Sequence, residues 1–138
     1  MIEVRVEHLG AVQFEIKARQ HTIISDQPAE NLGHDEGMTP PELMLASLGS
    51  CAAFYAAAYL RKYKLATDGT RVRVSAEKHK DDHGVRLDDF RITVDLPTGL
   101  EPKHIEGVER EVRRCLIHNT LLHPPKMSFE IHNPALAG

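Results

Sequence analysis

An uncharged segment of 18 residues, Leu43–Leu60, constrains the fold more than any other feature of the sequence. It follows the tetrapeptide TPPE at Thr39–Glu42, whose T-x-x-E spacing is typical of a helix capping box with proline in the first turn. The sequence therefore predicts a long helix that is apolar on every face, and such helices are buried. A chain of 138 residues has little material to bury a helix from all sides. The pattern accordingly favours a dimer, in which a second copy covers one face.

A segment of this length would also be long enough to cross a bilayer. Here it is rich in Ala, Gly and Ser and lies in the middle of the chain, which argues against a membrane span. The N-terminal residues MIEVRVEHLG lack the basic and apolar regions of a signal peptide. A net charge of -3 gives no basic face for nucleic acid or for a membrane surface. We therefore expect a soluble, cytoplasmic protein with neither nucleic acid nor membrane as a partner.

Strand patterns precede the helix. Residues 2–7 and 12–18 alternate polar and apolar side chains, and the turn between them predicts a hairpin. Residues 21–25 fit a third short strand. Residues 26–41 are rich in Asp, Glu, Gly, Asn and Pro and predict a loop, whose length is typical of functional loops.

The part of the chain after the long helix contains two more alternating runs, at residues 72–76 and 90–94, which predict strands. Apolar residues at helical spacing predict a second helix that begins at Glu101-Pro102 and is terminated by His123-Pro124-Pro125, and residues 127–131 predict a last strand. The order is therefore β-β-(β)-α-β-β-α-β. This order predicts one α+β domain over residues 1–138, with an antiparallel sheet packed on the long central helix and the second helix.

The chain has two cysteines, and helical periodicity places both on inward faces. Cys51 shares a stripe of the first helix with Met44, Leu48 and Tyr55, whereas Cys115 lies on the apolar face of the predicted second helix. Two cysteines so far apart do not form a disulfide framework and would rest as thiols in a reducing cytosol. Buried thiols are often inert, whereas a reactive thiolate needs a nearby cation or hydrogen-bond donor. Periodicity alone leaves both alternatives open.

The nine histidines raise the question of a metal site. The nearest clusters are Cys115-x2-His118 and His118-x4-His123, and neither has the paired ligands that complete a four-coordinate site. His79 and His83 flank a polar turn. We therefore expect no metal and no cofactor.

The segment Gly37–Cys51, GMTPPELMLASLGSC, resembles the first cysteine motif of the OsmC/Ohr superfamily. A second match is Cys115, followed by LIHNT and by the closing segment MSFEIH. The resemblance covers essentially the whole chain. It implies the OsmC-like fold, an intertwined homodimer in which two sheets wrap a pair of central helices.

The resemblance also implies a chemistry. In the well-studied branches the first cysteine attacks the O–O bond of an organic hydroperoxide, the sulfenic acid condenses with the second cysteine, and a dithiol reductant restores the pair. By position, Cys51 would be the attacking residue and Cys115 the resolving residue of a peroxidase in oxidative stress defence. An apolar peroxide would suit a pocket lined by Met44, Leu48, Tyr55 and Leu116.

One position departs from the peroxidase branches, which hold the reactive thiol with an Arg and a Glu. That Glu lies ten residues before the first cysteine, where this chain has Pro41. Glu42 occupies the neighbouring position and Glu36 is another carboxylate, while Arg19 is the candidate for the Arg, which the family takes from its N-terminal strands. The departure keeps a second function open: a non-peroxidase dimer that binds a hydrophobic or electrophilic small molecule, with its thiols as ligands or redox reporters.

Overall fold

The computed structural model describes residues 1–135. The predicted long helix is present as α1, Pro40–Lys62. Its capping box is also confirmed: the backbone N–H of Thr39 donates to Glu42 Oε1 at 2.9 Å, and the N–H of Glu42 donates to Thr39 Oγ1 at 3.4 Å. The local pattern therefore sets where the helix begins.

The strands form two antiparallel sheets. The first contains β1 (Arg5–Gly10), β2 (Gln13–Ala18) and β3 (His21–Ser25) in that spatial order. The second contains β4 (Arg71–Asp81) and β5 (Gly84–Asp95). The fold is thus α+β as predicted, but in residues 1–135 the strands do not join into the single sheet that the sequence indicated.

The predicted second helix is two helices, α2 (Pro102–Val112) and α3 (Leu116–Leu122). Cys115 stands between them as the N-cap residue of α3, with an extended backbone (φ -54°, ψ 132°). The prediction that Cys115 lies within one continuous helix is therefore wrong. The apolar spacing did not reveal the break because it continues from α2 into α3, and both helices pack on α1.

The predicted last strand is not formed in the described part of the chain. Residues 127–131 belong to no strand, and the three alternating apolar side chains of this segment are almost fully exposed. The exposed fractions are 77% for Met127, 91% for Phe129 and 93% for Ile131. A strand is stable only beside another strand, and residues 1–135 supply no partner for this one.

The core lies along α1. Four of its side chains at four-residue spacing are buried, namely Leu48, Ala52, Ala56 and Leu60. Gly49 brings the helix close to β4, because a Cβ at this position would lie 3.1 Å from Val74 Cγ2. On another side α1 packs on α2, where Val108 joins the same buried cluster.

The other surfaces of α1 and of the first sheet are less covered. The helix packs on β4, β5, α2 and α3, and the strands β1–β3 make little contact with it. By length and composition α1 would be able to cross a membrane, and only 28% of its most apolar window is buried. Exposed apolar side chains also run along the first sheet, at Val6, Leu9 and Ile23. Both the helix and the sheet therefore present apolar faces without a partner in the single chain.

The loop before α1 is organised by the carboxylate of Asp26, which is only 1% exposed. It accepts hydrogen bonds from the backbone N–H groups of Gln27 at 2.7 Å and Glu36 at 3.1 Å, and from Gln13 Nε2 at 3.1 Å. A further backbone bond comes from His34. Burial raises the pKa of Asp26, but these hydrogen bonds outweigh it and hold the pKa below its usual value of 3.8.

The lowered pKa of Asp26 predicts acid sensitivity of this loop. A carboxyl group whose pKa is lower in the folded state stabilises the fold above the unfolded-state pKa, and that stabilisation disappears as the pH falls through the folded-state pKa. We expect Asp26→Asn to lower Tm at pH 7 and to reduce the loss of Tm between pH 6 and pH 3. Thermal unfolding at these pH values measures both effects, with the exposed Asp68→Asn as a control. If Asp26→Asn and the wild type lose the same Tm between pH 6 and pH 3, the role given to the Asp26 carboxylate is contradicted.

Candidate functional site

The structure brings the two cysteines close together. Cys51 lies midway along α1, and Cys115 lies at the junction of α2 and α3. Both are free thiols, and they lie close enough together that Cys51 affects the pKa of Cys115. This closeness depends on the break after Val112, because α3 turns there and packs on α1.

The two thiols have different environments. Cys115 is fully buried, whereas Cys51 is only half-buried. Burial raises the pKa of the Cys115 thiol above its usual value of 9.0, and the hydrogen bond with Cys51 acts in the same direction. Cys115 makes no regular capping hydrogen bond, but the backbone N–H groups of His118 and Ile117 partly offset these effects. Cys115 is therefore protonated at neutral pH, and Cys51 is the sulfur that a reagent reaches first.

The structure does not bring Arg19 to this pair. Arg19 is exposed in the turn between β2 and β3, with a left-handed backbone (φ 56°). Its sheet makes little contact with α1. Within residues 1–135, no Arg, Lys or His side chain contributes to the shift in the Cys115 pKa. In the described residues, the causes that set the Cys115 pKa therefore include no cation of the kind that stabilises a thiolate.

Glu42 acts as a helix cap in this structure. Its carboxylate accepts hydrogen bonds from the backbone N–H and the hydroxyl of Thr39, which lower its pKa. Nine residues of α-helix separate it from Cys51, a rise of about 13 Å. The carboxylate of Glu36 also has another partner: it accepts a hydrogen bond from Gln13 Nε2 at 3.2 Å in the loop around Asp26. Neither carboxylate is directed to the thiols in the single chain.

One cleft in the described part of the chain has a volume of about 990 Å³. It lies between β5 and the helices α1, α2 and α3. Two of the predicted pocket residues, Met44 and Leu48, line it. Tyr55 and Leu116 do not line this cleft, and neither do the cysteines, so a pocket formed by all four residues stays a prediction.

Most of the cleft's apolar lining was not predicted from the sequence. The residues missed are Phe90, Ile92 and Val94 on β5 and Ile105, Val108 and Val112 on α2. The alternation along β5 and the helical spacing in α2 identified these side chains as inward-facing. These sequence patterns did not show which helix β5 packs against. His118 connects the cleft to the thiol site, since its side chain lines the cleft and its backbone N–H acts on Cys115.

The fold and the site together define an α+β protein with a long central helix and two facing thiols, one half-buried and one buried. The sequence profile described as OsmC-like protein matches residues 33–130, which is more than half of the chain. The chain belongs to the OsmC-like family.

Solved structures support this fold. A protein from Psychrobacter arcticus 273-4 is 22% identical, with a TM-score of 0.77, over 87% of this chain and 88% of that one. An OsmC-like protein from Mycoplasma pneumoniae is 16% identical, with a TM-score of 0.77, over 90% and 89%. An organic hydroperoxide resistance protein OsmC from Legionella pneumophila is 14% identical, with a TM-score of 0.67, over 88% of each chain. No curated protein sequence matches this chain.

Proposed function

We propose that this protein reduces organic hydroperoxides with its two cysteines. The observation that carries the proposal is the closeness of the half-buried Cys51 to the buried Cys115. A neighbouring second thiol is what a sulfenic acid on the first needs in order to condense to a disulfide. The likeness to the Legionella pneumophila protein, which is described as an organic hydroperoxide resistance protein, supports the choice of oxidant.

The proposed reaction has three steps. The thiolate of Cys51 attacks the outer oxygen of R–O–OH, the O–O bond breaks, and the alkoxide takes a proton and leaves as the alcohol. The thiol of Cys115 then displaces hydroxide from the Cys51 sulfenic acid, which releases water and forms the disulfide. A dithiol reductant in the cytoplasm exchanges with the disulfide, and its own two thiols are oxidised.

The different environments of the sulfurs determine the order of these steps. A reagent reaches Cys51 first because Cys115 has no exposed surface. The raised pKa keeps Cys115 protonated, so that it does not compete as a nucleophile for the peroxide. Cys115 becomes reactive only towards an electrophilic sulfur in direct contact, which is what the sulfenic acid of Cys51 supplies.

The proposal includes a homodimer that completes the site. The apolar faces left open on α1 and on the sheet β1–β3 would cover each other in two copies. A dimer would also place the N-terminal sheet of one chain on the central helix of the other. Arg19, whose sheet makes little contact with α1 in its own chain, would then be available to the partner's Cys51. The exposed alternating segment at residues 127–131 would gain a neighbouring strand in the same assembly.

A peroxide-consumption assay tests the activity. The purified wild-type protein is incubated with cumene hydroperoxide and a dithiol reductant, and the remaining peroxide is measured over time. We expect catalytic consumption with dithiothreitol and much slower consumption with a monothiol of equal thiol concentration. Consumption no faster than in a protein-free control with the same reductant would contradict the proposal.

A second function is favoured by the 990 Å³ apolar cleft, which does not include the cysteines. In that case the protein would bind a hydrophobic small molecule, and its two thiols would be ligands or redox reporters. Native mass spectrometry of the purified protein distinguishes the two functions. An apolar ligand retained in stoichiometric amount, together with no peroxide turnover, would favour binding over catalysis.

A further inference from the structure

The hairpin formed by β4 and β5 carries a cluster of possible metal ligands on the opposite side of the sheet from α1. Glu77 and His79 alternate along β4 and therefore share one face, away from the inward-facing Val74. Asp89 comes from β5, and its carboxylate oxygen lies 2.9 Å from His79 Nε2. One oxygen or nitrogen atom of each of the three side chains lies within 4.8 Å of the other two.

An irregularity in the strand pairing explains how Asp89 joins this face. Ser75 pairs with Arg91 and Glu77 pairs with Asp88, so one residue of β4 is opposite two residues of β5. This is the arrangement of a β-bulge. Asp89 lies in the bulge and has a left-handed backbone (φ 53°). Its carboxylate is thereby turned towards His79.

The spacing of the three groups fits a divalent metal. Imidazole nitrogen and carboxylate oxygen bind Zn²⁺ at about 2.0–2.2 Å. Two such ligands are about 3.0 Å apart at a right angle and about 3.4 Å apart at the tetrahedral angle. The 2.9 Å separation of His79 and Asp89 already matches the shorter value. Glu77 has an exposed, flexible side chain that needs to move little to complete three ligands.

The local charge also favours a cation. Glu77 and Asp89 form no ion pair with Lys or Arg in the described chain. Arg86 lies nearby, but it is paired with Asp81 at 2.8 Å and Asp88 at 3.1 Å. The two carboxylates therefore carry negative charge that no Lys or Arg of the described chain offsets, and a bound cation would offset it.

We propose that Glu77, His79 and Asp89 form a binding site for a divalent transition-metal ion, with water in the remaining coordination positions. A mixed set of one imidazole and two carboxylates suits Zn²⁺ or Mn²⁺ better than Ca²⁺. The ion would join β4 to β5 at the bulge. This site is separate from the thiol pair, so the two proposals stand or fall independently.

Titration with Zn²⁺ tests the proposal. The thiols would themselves bind zinc, so the measurement is made on the full chain carrying both Cys51→Ser and Cys115→Ser, after dialysis against EDTA. We expect isothermal titration calorimetry to show one site and the metal to raise Tm. His79→Ala and Asp89→Asn are each expected to weaken binding at least tenfold and to remove the rise in Tm.

His83→Ala is the matched control, because His83 is exposed in the turn of the same hairpin. It is expected to bind zinc as tightly as the parent protein. Absence of zinc binding in the parent protein would overturn the proposal. Equal weakening by His79→Ala and His83→Ala would also overturn it, since it would indicate non-specific binding by surface histidines.

Discussion

Cys51→Ser is expected to lower the rate of hydroperoxide consumption at least about 100-fold, because it removes the nucleophile on which every later step depends. Cys115→Ser is expected to give a different result. Cys51 remains half-buried beside the new hydroxyl group, so one equivalent of peroxide is still reduced. The sulfenic acid then lacks a thiol to condense with and accumulates. Peroxide loss in a single turnover and mass spectrometry of a dimedone adduct on Cys51 measure these two outcomes.

Ser50→Ala is the matched control for these variants. Ser50 is adjacent to Cys51 but exposed, and its hydroxyl donates only to the backbone carbonyl of Ser47 at 3.2 Å. The Ser50→Ala variant is expected to be as active as the wild type. Similar losses in Cys51→Ser and Ser50→Ala would indicate damage to α1 instead of loss of a nucleophile. A dimedone adduct on Cys115 in place of Cys51 would reverse the proposed roles.

Phe54→Asp is expected to convert the proposed dimer into a monomer and to reduce peroxidase activity with it. Phe54 belongs to the uncharged face of α1, three residues after Cys51, and 64% of its surface is exposed in the single chain. If a second copy covers this face, the substitution places an unpaired carboxylate in an apolar interface. Such burial costs several kcal/mol, enough to dissociate a dimer at micromolar concentration. Light scattering coupled to size-exclusion chromatography measures the mass.

Val85→Asp is the control for this prediction. Val85 is exposed to a similar extent, 67%, but lies on β5 near the turn of the hairpin. It is expected to leave the mass and the activity unchanged. A wild-type protein with the mass of one chain, or a Phe54→Asp variant that remains dimeric, would contradict the proposed assembly.

Features that depend on neighbouring residues were predictable from the sequence. The helix start follows from the T-x-x-E spacing, and the structure confirms both hydrogen bonds of the capping box. The hairpins follow from alternation on both sides of short turns. These patterns succeed because hydrogen bonds within a helix or hairpin join residues that are close in sequence.

Features that depend on distant parts of the chain were not predictable. The break between α2 and α3 at Cys115 does not interrupt the apolar spacing, so nothing local marks it. The alternation at residues 127–131 is real, but a strand also needs a neighbour, and none is present in the described chain. The pairing of the first three strands gave no information on where Arg19 would lie relative to Cys51.

The cysteine site was predictable only in part. Periodicity placed both thiols on inward faces, and the resemblance to a family gave them roles. Neither indicated that Cys115 is the more buried thiol, or that its pKa is raised. These properties depend on how α3 packs on α1. The proposed attacking role of Cys51 rests on these properties.

The most direct test of the central claim is the mass of the protein after one equivalent of peroxide. Reduced wild-type protein is treated with cumene hydroperoxide without reductant, then alkylated and digested. We predict a loss of two hydrogen atoms per chain and a single disulfide-linked peptide pair that contains Cys51 and Cys115. A chain that keeps both thiols free for alkylation, or that forms disulfides only between cysteines of different chains, would contradict the claim.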